Sequence, residues 1–175
     1  MKTLKAGLAS ALLVAGLGLA PAAPAAAAPY CGITWGSLAD SSSATSTARV
    51  TNARAGQHTC YDRLVIDLRG KVRGYDVRYV SAVYTEGQGK RVPLDGAADL
   101  RIIVRTGNSP YNPASDTRAV NVSGFRTFEQ VAYLGSFEGQ TSFGLGVRAR
   151  LPFRTFILDG PGTGSRLVID VAHRW

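Results

Sequence analysis

Apolar and polar positions alternate along this chain in short runs, and one run occurs twice. Arg63-Leu64-Val65-Ile66-Asp67 returns as Arg166-Leu167-Val168-Ile169-Asp170. Leu, Val and Ile suit a buried strand, and a period of two separates Leu64, Ile66 and Leu68 from Arg63, Val65 and Asp67. The second copy divides in the same way, with Leu167, Ile169 and Val171 on the core face. Each Asp follows an Arg by four positions, which puts the two roughly 13 Å apart along a strand. Asp67 and Asp170 are therefore expected to pair with groups on neighbouring strands. The reading is two related strands of one all-β domain; chance recurrence of a β-favouring run is the alternative.

Strand patterns continue on both sides of the repeat. They cover residues 62–69, then 75–85, where Tyr75, Val77 and Tyr79 alternate with Asp76, Arg78 and Val80. Gly87-Gln88-Gly89 turns the chain into 91–94, and Asp95-Gly96 turns it into 99–106. Residues 107–116, with Pro110 and Pro113, form a loop long enough to carry function. Strands are expected again over 118–122, 125–134, 141–148, 154–158 and 166–172. Residues 37–50 hold too much Ser and Thr for a helix, and nothing else is helical in period. Many short strands with frequent glycine turns predict a single-domain β-sandwich or partly closed barrel.

The first residues change the setting. Lys2 and Lys5, the apolar run from Leu8 to Ala20 and the small residues from Pro21 to Ala28 have the layout of a signal peptide. Ala25-Ala26-Ala27 suits cleavage, so the expected organisation is a leader at 1–27, an N-terminal segment at 28–59 and a β domain at 60–175. The apolar run is short for a transmembrane helix, and no transmembrane segment is expected in the mature chain. Tyr30 precedes Cys31 where a lipid-modified cysteine follows Gly or Ala, so soluble export is favoured over a lipoprotein. In an oxidising compartment the pair Cys31 and Cys60 predicts a disulfide. Closing that loop stabilises by roughly 3–4 kcal/mol in the chain-entropy model. It would fasten the weakly patterned stretch 37–51 to the strand that begins near Asp62.

The chain carries a formal charge of +8, or +6 once Lys2 and Lys5 are removed. A basic exported protein meets anionic surfaces such as wall polymers; export disfavours nucleic acid as a partner. Chemistry-bearing residues are few. His58 and His173 are the only histidines. Two cysteines and two distant histidines lack metal-site spacing, so no metal and no cofactor is expected. Gly144-Leu145-Gly146 sits inside a strand pattern, where glycine marks a bulge or close packing rather than a phosphate loop. Arg148, Arg150 and Arg154 surround Leu151-Pro152-Phe153, and Arg126 stands beside Phe125. Guanidinium forks take carboxylates and phosphates while aromatic faces take sugar rings or peptides, so Arg126, Arg148, Arg150, Phe153 and Arg154 are the candidate ligand-binding residues.

Several motifs occur in a recognisable order. They are Cys60-Tyr61-Asp62-Arg63 with the first repeat, Phe137-Glu138-Gly139, Phe143-Gly144-Leu145-Gly146-Val147-Arg148, Pro152-Phe153-Arg154, and the second repeat through Val171-Ala172-His173. Together they resemble the AMIN-like domain proteins exported by actinobacteria, over about residues 60–173. The resemblance implies a non-catalytic envelope module that binds peptidoglycan or another anionic wall component. The alternative is a small extracellular hydrolase of glycans or esters, built on Glu138 with another carboxylate or on a histidine triad. A third reading is a protein-binding module that uses loop 107–116.

Overall fold

A computed structural model describes residues 29–175; the expected leader at 1–27 lies outside the described residues. Among the described residues a single 3-10 turn at Tyr30–Gly32 is followed by eleven strands. These are β1 (Asp40–Ser42), β2 (Arg49–Gln57), β3 (Tyr61–Arg69), β4 (Gly74–Val80), β5 (Val83–Tyr84), β6 (Arg91–Val92), β7 (Ala98–Arg105), β8 (Phe128–Phe137), β9 (Gln140–Val147), β10 (Phe153–Asp159) and β11 (Ser165–Ala172). They make a five-stranded sheet in the order β1-β4-β7-β9-β8 and a four-stranded sheet in the order β10-β11-β3-β2, with β5-β6 as a separate hairpin. Every pairing is antiparallel. The architecture is an open β-sandwich, not a closed barrel. No described helix is long and apolar enough to cross a membrane.

Side-chain period explains the core. Leu64, Ile66 and Leu68 of β3 and Leu167, Ile169 and Val171 of β11 point inward and are buried, as the repeat predicts. They meet Val77 of β4, Leu100, Ile102 and Val104 of β7, and Phe143, Leu145 and Val147 of β9 in one apolar cluster. Fully burying each such side chain contributes about 1.5–3 kcal/mol. Strand ends differ from the sequence reading in three places. Residues 118–122 form no strand, only a bridge from Val120 to Val131. The run 75–85 breaks between Val80 and Val83 into β4 and β5. The segment 125–134 pairs only from Phe128 onward, with Phe125 stacked against that ring at 6.1 Å.

Two strands lacked a recognisable pattern. β1 is three residues long, and β2 carries Val50 and the small Ala53 as its only buried side chains. Both are nonetheless paired, β1 with β4 and β2 with β3. Loop 107–116 is pinned rather than free. Tyr111 packs edge-on against Tyr133 at 5.2 Å and leans on Phe143, while Ser109 joins Thr141 through their hydroxyls at 2.8 Å.

The glycines of β9 are explained by the β5-β6 hairpin, which lies across the outer face of the five-stranded sheet. A Cβ on Gly146 would overlap the carbonyl oxygen of Asp95, whereas one on Gly144 would approach only Leu94 and Val83 side chains, at 3.0 Å each. Gly146→Ala must therefore displace backbone. The expected cost is about 1–3 kcal/mol, with the unfolding temperature lowered by several degrees. Gly144→Ala should cost less, because side chains can yield. Thermal unfolding of both variants, with proteolysis of residues 81–96 as the local readout, checks the difference.

Candidate functional site

The outer face of the four-stranded sheet carries an ionic and aromatic cluster built from the repeat. Register places Arg63 opposite Asp170 and, on the other side of β11, Arg154 opposite the same Asp170. Asp170 is fully buried and accepts hydrogen bonds from Arg63 Nε at 2.6 Å, Arg63 Nη2 at 2.9 Å and Arg154 Nε at 2.8 Å. Asp67 pairs across to β2, accepting from Arg54 Nε at 2.9 Å and Nη2 at 3.1 Å. Both aspartates thus find partners on neighbouring strands, as their spacing predicts. Hydrogen bonding to Asp170 holds the Arg63 guanidinium above its ordinary pKa, against the opposing effect of partial burial.

Aromatic rings enclose these cations. Arg63 lies 5.2 Å from the Tyr61 ring centroid and 5.5 Å from that of Phe156. Arg154 lies over Trp35, Tyr61 and Phe156 at 5.5, 5.5 and 5.2 Å. Trp35 in turn meets Tyr61 edge-on at 5.9 Å. This contact joins the sheet to the segment before β1, which two links hold in place. One is the Cys31–Cys60 disulfide, Cα to Cα 6.4 Å, which ends beside the start of β3 as expected. The other is a bridge between Gly36 and Phe153, whose N–H groups donate to each other's carbonyls at 3.1 and 2.6 Å.

The segment so fastened forms one wall of a groove of about 340 Å³, lined by Pro29, Tyr30, Ile33, Thr34, Trp35, Pro152 and Trp175. Both tryptophans of the chain meet here. Trp35 Nε1 donates to the Tyr30 carbonyl at 2.9 Å and Trp175 Nε1 to the Arg150 carbonyl at 3.2 Å. With its polar atom satisfied, each indole offers apolar ring. Arg174 sits 4.6 Å from the Tyr30 ring centroid, and Arg154 reaches Trp35 from the sheet side.

The five residues nominated from the sequence are dispersed. The Arg150 carbonyl holds Trp175, but its guanidinium lies 4.7 Å from the Tyr79 ring centroid, with Nη2 3.5 Å from the Ser37 carbonyl. Arg154 belongs to the Asp170 cluster. Arg148 donates to the His173 carbonyl. Arg126 is exposed in a separate hollow with Gln57, His58 and Thr59. Phe153 is a correction: it is buried, 2% exposed, and packs edge-on against Tyr79 at 5.7 Å, so its ring belongs to the core. Burial raises the Tyr79 phenol to about 12, and the phenol oxygen donates to the Leu151 carbonyl at 2.7 Å. Tyr30, Trp35 and Trp175 escaped the sequence reading because they lie far apart in the chain. The one signal was that Trp35 follows a disulfide-bonded Cys31 by four residues.

The groups nominated for hydrolysis have other roles. His173 Nδ1 lies 2.9 Å from Thr127 Oγ1, His173 Nε2 lies 3.0 Å from the His58 carbonyl, and Asp62 is 3.9 Å from the ring. That resembles a triad in residue type. However, Thr127 and Asp62 are fully buried, and Asp62 Oδ2 accepts the backbone N–H groups of Thr127 and Phe128 at 2.6 and 3.1 Å. The network closes one end of the sandwich. Glu138, at φ 46, occupies with Gly139 the two-residue turn between β8 and β9.

A family model for the AMIN-like domain matches residues 48–173. The chain therefore is an antiparallel β-sandwich of the AMIN-like domain family. Domains of this family are in general non-catalytic and associated with the cell wall. No curated protein is similar enough to the chain to be matched. The match begins just ahead of β2 and takes in both copies of the repeat, whereas Tyr30 and Trp35 precede it and Trp175 follows it.

Two outcomes follow for this region. Asp170→Ala leaves Arg63 and Arg154 without their common carboxylate and should destabilise by about 3–5 kcal/mol, while Asp67→Ala, which frees a half-exposed Arg54, should cost less than about 1 kcal/mol. Denaturant unfolding of both variants measures the contrast. Reduction of the disulfide should loosen residues 29–35 most, because Gly36 keeps its bridge to Phe153 and from Asp40 onward the segment has strand partners of its own. Tryptophan fluorescence should shift and amide exchange rise over 29–35, with the strands from Tyr61 to Ala172 still protected.

Proposed function

We propose that this protein is an exported, non-catalytic module that holds a cell-wall polymer, peptidoglycan or another anionic component, in the groove between Trp35, Tyr30 and Trp175. The observation that supports this reading most is the meeting of both tryptophans in one groove, with the Arg154 guanidinium over Trp35 and that of Arg174 over Tyr30. Indole faces pack against the apolar faces of sugar rings or against short aliphatic side chains, and guanidinium groups take carboxylates or phosphates. A wall polymer supplies both kinds of group along one strand. Membership of a wall-associated family supports the partner class. The disulfide suits an oxidising compartment, and the leader-like start of the sequence suits export to one. The positive charge raises the local concentration of the protein near an anionic polymer before the groove engages.

Co-sedimentation of the mature chain with insoluble cell wall tests the proposal. The chain should pellet with the wall at low salt, and less so as salt screens the arginines. Trp35→Ala combined with Trp175→Ala should lower the bound fraction about tenfold or more, since buried aromatic anchors dominate such contacts. A chain that stays in the supernatant at low salt, or a double variant that binds as well as the parent, overturns the assignment.

A further inference from the structure

The two copies of the repeated strand lie side by side and antiparallel, with Val65 opposite Val168 at the centre. Arg63 stands opposite Asp170 and Asp67 opposite Arg166, so the register has a local two-fold through the valine pair. Full symmetry would give Arg166 the carboxylate that Arg63 enjoys. The side chains break that symmetry. Asp67 has turned away to β2, where Arg54 takes both its oxygens and Asn52 Nδ2 adds a contact at 3.4 Å. Arg166 keeps one hydrogen bond, from Nη2 to the Asp159 carbonyl at 3.0 Å. Its Nε is buried and has no hydrogen-bond partner among the described residues.

The Arg166 side chain belongs to a concave part of the sheet. A hollow of about 240 Å³ is lined by Arg54, Arg63 and Arg166 with His58, over Val65 and Val168. Among the described residues no acidic one lines it, and the nearby aspartates are already taken, Asp67 by Arg54, Asp159 by Lys71 and Asp170 by Arg63 and Arg154. We propose that this hollow binds a carboxylate that carries a short aliphatic substituent. Arg166, a partly exposed side chain, would turn its covered Nε edge toward the carboxylate, and the substituent would rest on Ala55 and Leu158 above Val65 and Val168. The face itself argues for carboxylate over phosphate. Arg54 and Arg63 each hold a carboxylate through the same edge, Nε with Nη2, and on Arg166 only Nη2 of that edge is engaged. Planar two-point pairing of this kind is the geometry a guanidinium edge favours. The site is separate from the tryptophan groove, and the inference does not rest on wall binding.

Nuclear magnetic resonance titration of the mature chain, observing arginine Nε–H signals and valine methyls, tests it with four probes. These are isobutyrate, N-acetyl-alanyl-alanine, the same dipeptide as its C-terminal amide, and inorganic phosphate. The Arg166 Nε–H and the methyls of Val65 and Val168 should shift saturably with the two carboxylates and not with the amide. Tighter binding of the dipeptide than of isobutyrate identifies a peptide carboxyl terminus as the source; equal binding identifies a free acid. Arg166→Gln, whose amide can still donate to the Asp159 carbonyl, should weaken binding about tenfold or more while the methyl spectrum stays folded. Trp35→Ala should leave this titration unchanged, which separates its failure from failure of the groove. Unshifted signals, phosphate acting as strongly as carboxylate, or undiminished affinity in Arg166→Gln would each overturn the proposal.

Discussion

A carboxylate buried on the outward side of a sheet is the constraint on which the rest of this arrangement depends. Asp170 has no exposed surface, yet it lies on the face of β11 that points away from the sandwich core. An isolated charge so placed would be prohibitive, and two arginines compensate it from opposite sides. Because one comes from β3 and the other from β10, the pairing discriminates against any register that slips either strand by a residue. Apolar period alone would bury β3 and β11 in several arrangements. The shared carboxylate selects one.

From that point the order of causes runs outward to the groove. Two guanidiniums held over Asp170 present flat cationic faces, and Tyr61, Phe156 and Trp35 pack around them. Cation–aromatic contacts of this sort contribute about 0.5–2 kcal/mol each, depending on how far they are desolvated. They orient Trp35 from below while the disulfide and the Gly36–Phe153 bridge hold its backbone from the two sides. One wall of the groove is therefore a short loop with little core of its own, positioned by the sheet it covers. Binding residues on loops that a rigid scaffold positions are a common solution, since the loop can vary without disturbing the core.

What was legible in the sequence depended on whether the signal was local. The repeat declares its own inward and outward faces, so its core residues, the pairing of its aspartates across strands and the all-β class could be read directly, though not that Arg54 and Arg154 are among the partners. Gly144 and Gly146 could be read as a bulge or close packing because glycine inside a strand has few other uses. By contrast β2 has small or polar residues at most positions and is a strand because β3 offers it a hydrogen-bonding edge. Phe153 was misread for the opposite reason. Flanking arginines suggested a surface, whereas alternation at the start of β10 sends the ring inward and Arg154 outward. The groove was illegible because Tyr30 and Trp35 precede the matched domain and Trp175 follows it, brought together only by the fold.

The repeat also shows how one sequence motif can serve two ends. In one half of the pair, Arg63 and Asp170 satisfy each other and, with Arg154, lock three strands together. In the other half, Asp67 has been drawn to β2, and its former counterpart Arg166 is left with a carbonyl and a buried unpaired nitrogen. Edge pairing explains the difference: β2 supplies Arg54 next to Asp67, whereas β10 supplies Arg154 next to Asp170, and the latter shares its carboxylate instead of capturing it. A symmetric strand pair inside an asymmetric sheet thus acquires one structural arginine and one with hydrogen-bonding capacity to spare. Identical residues at equivalent positions differ in role because their neighbours on the far strand differ.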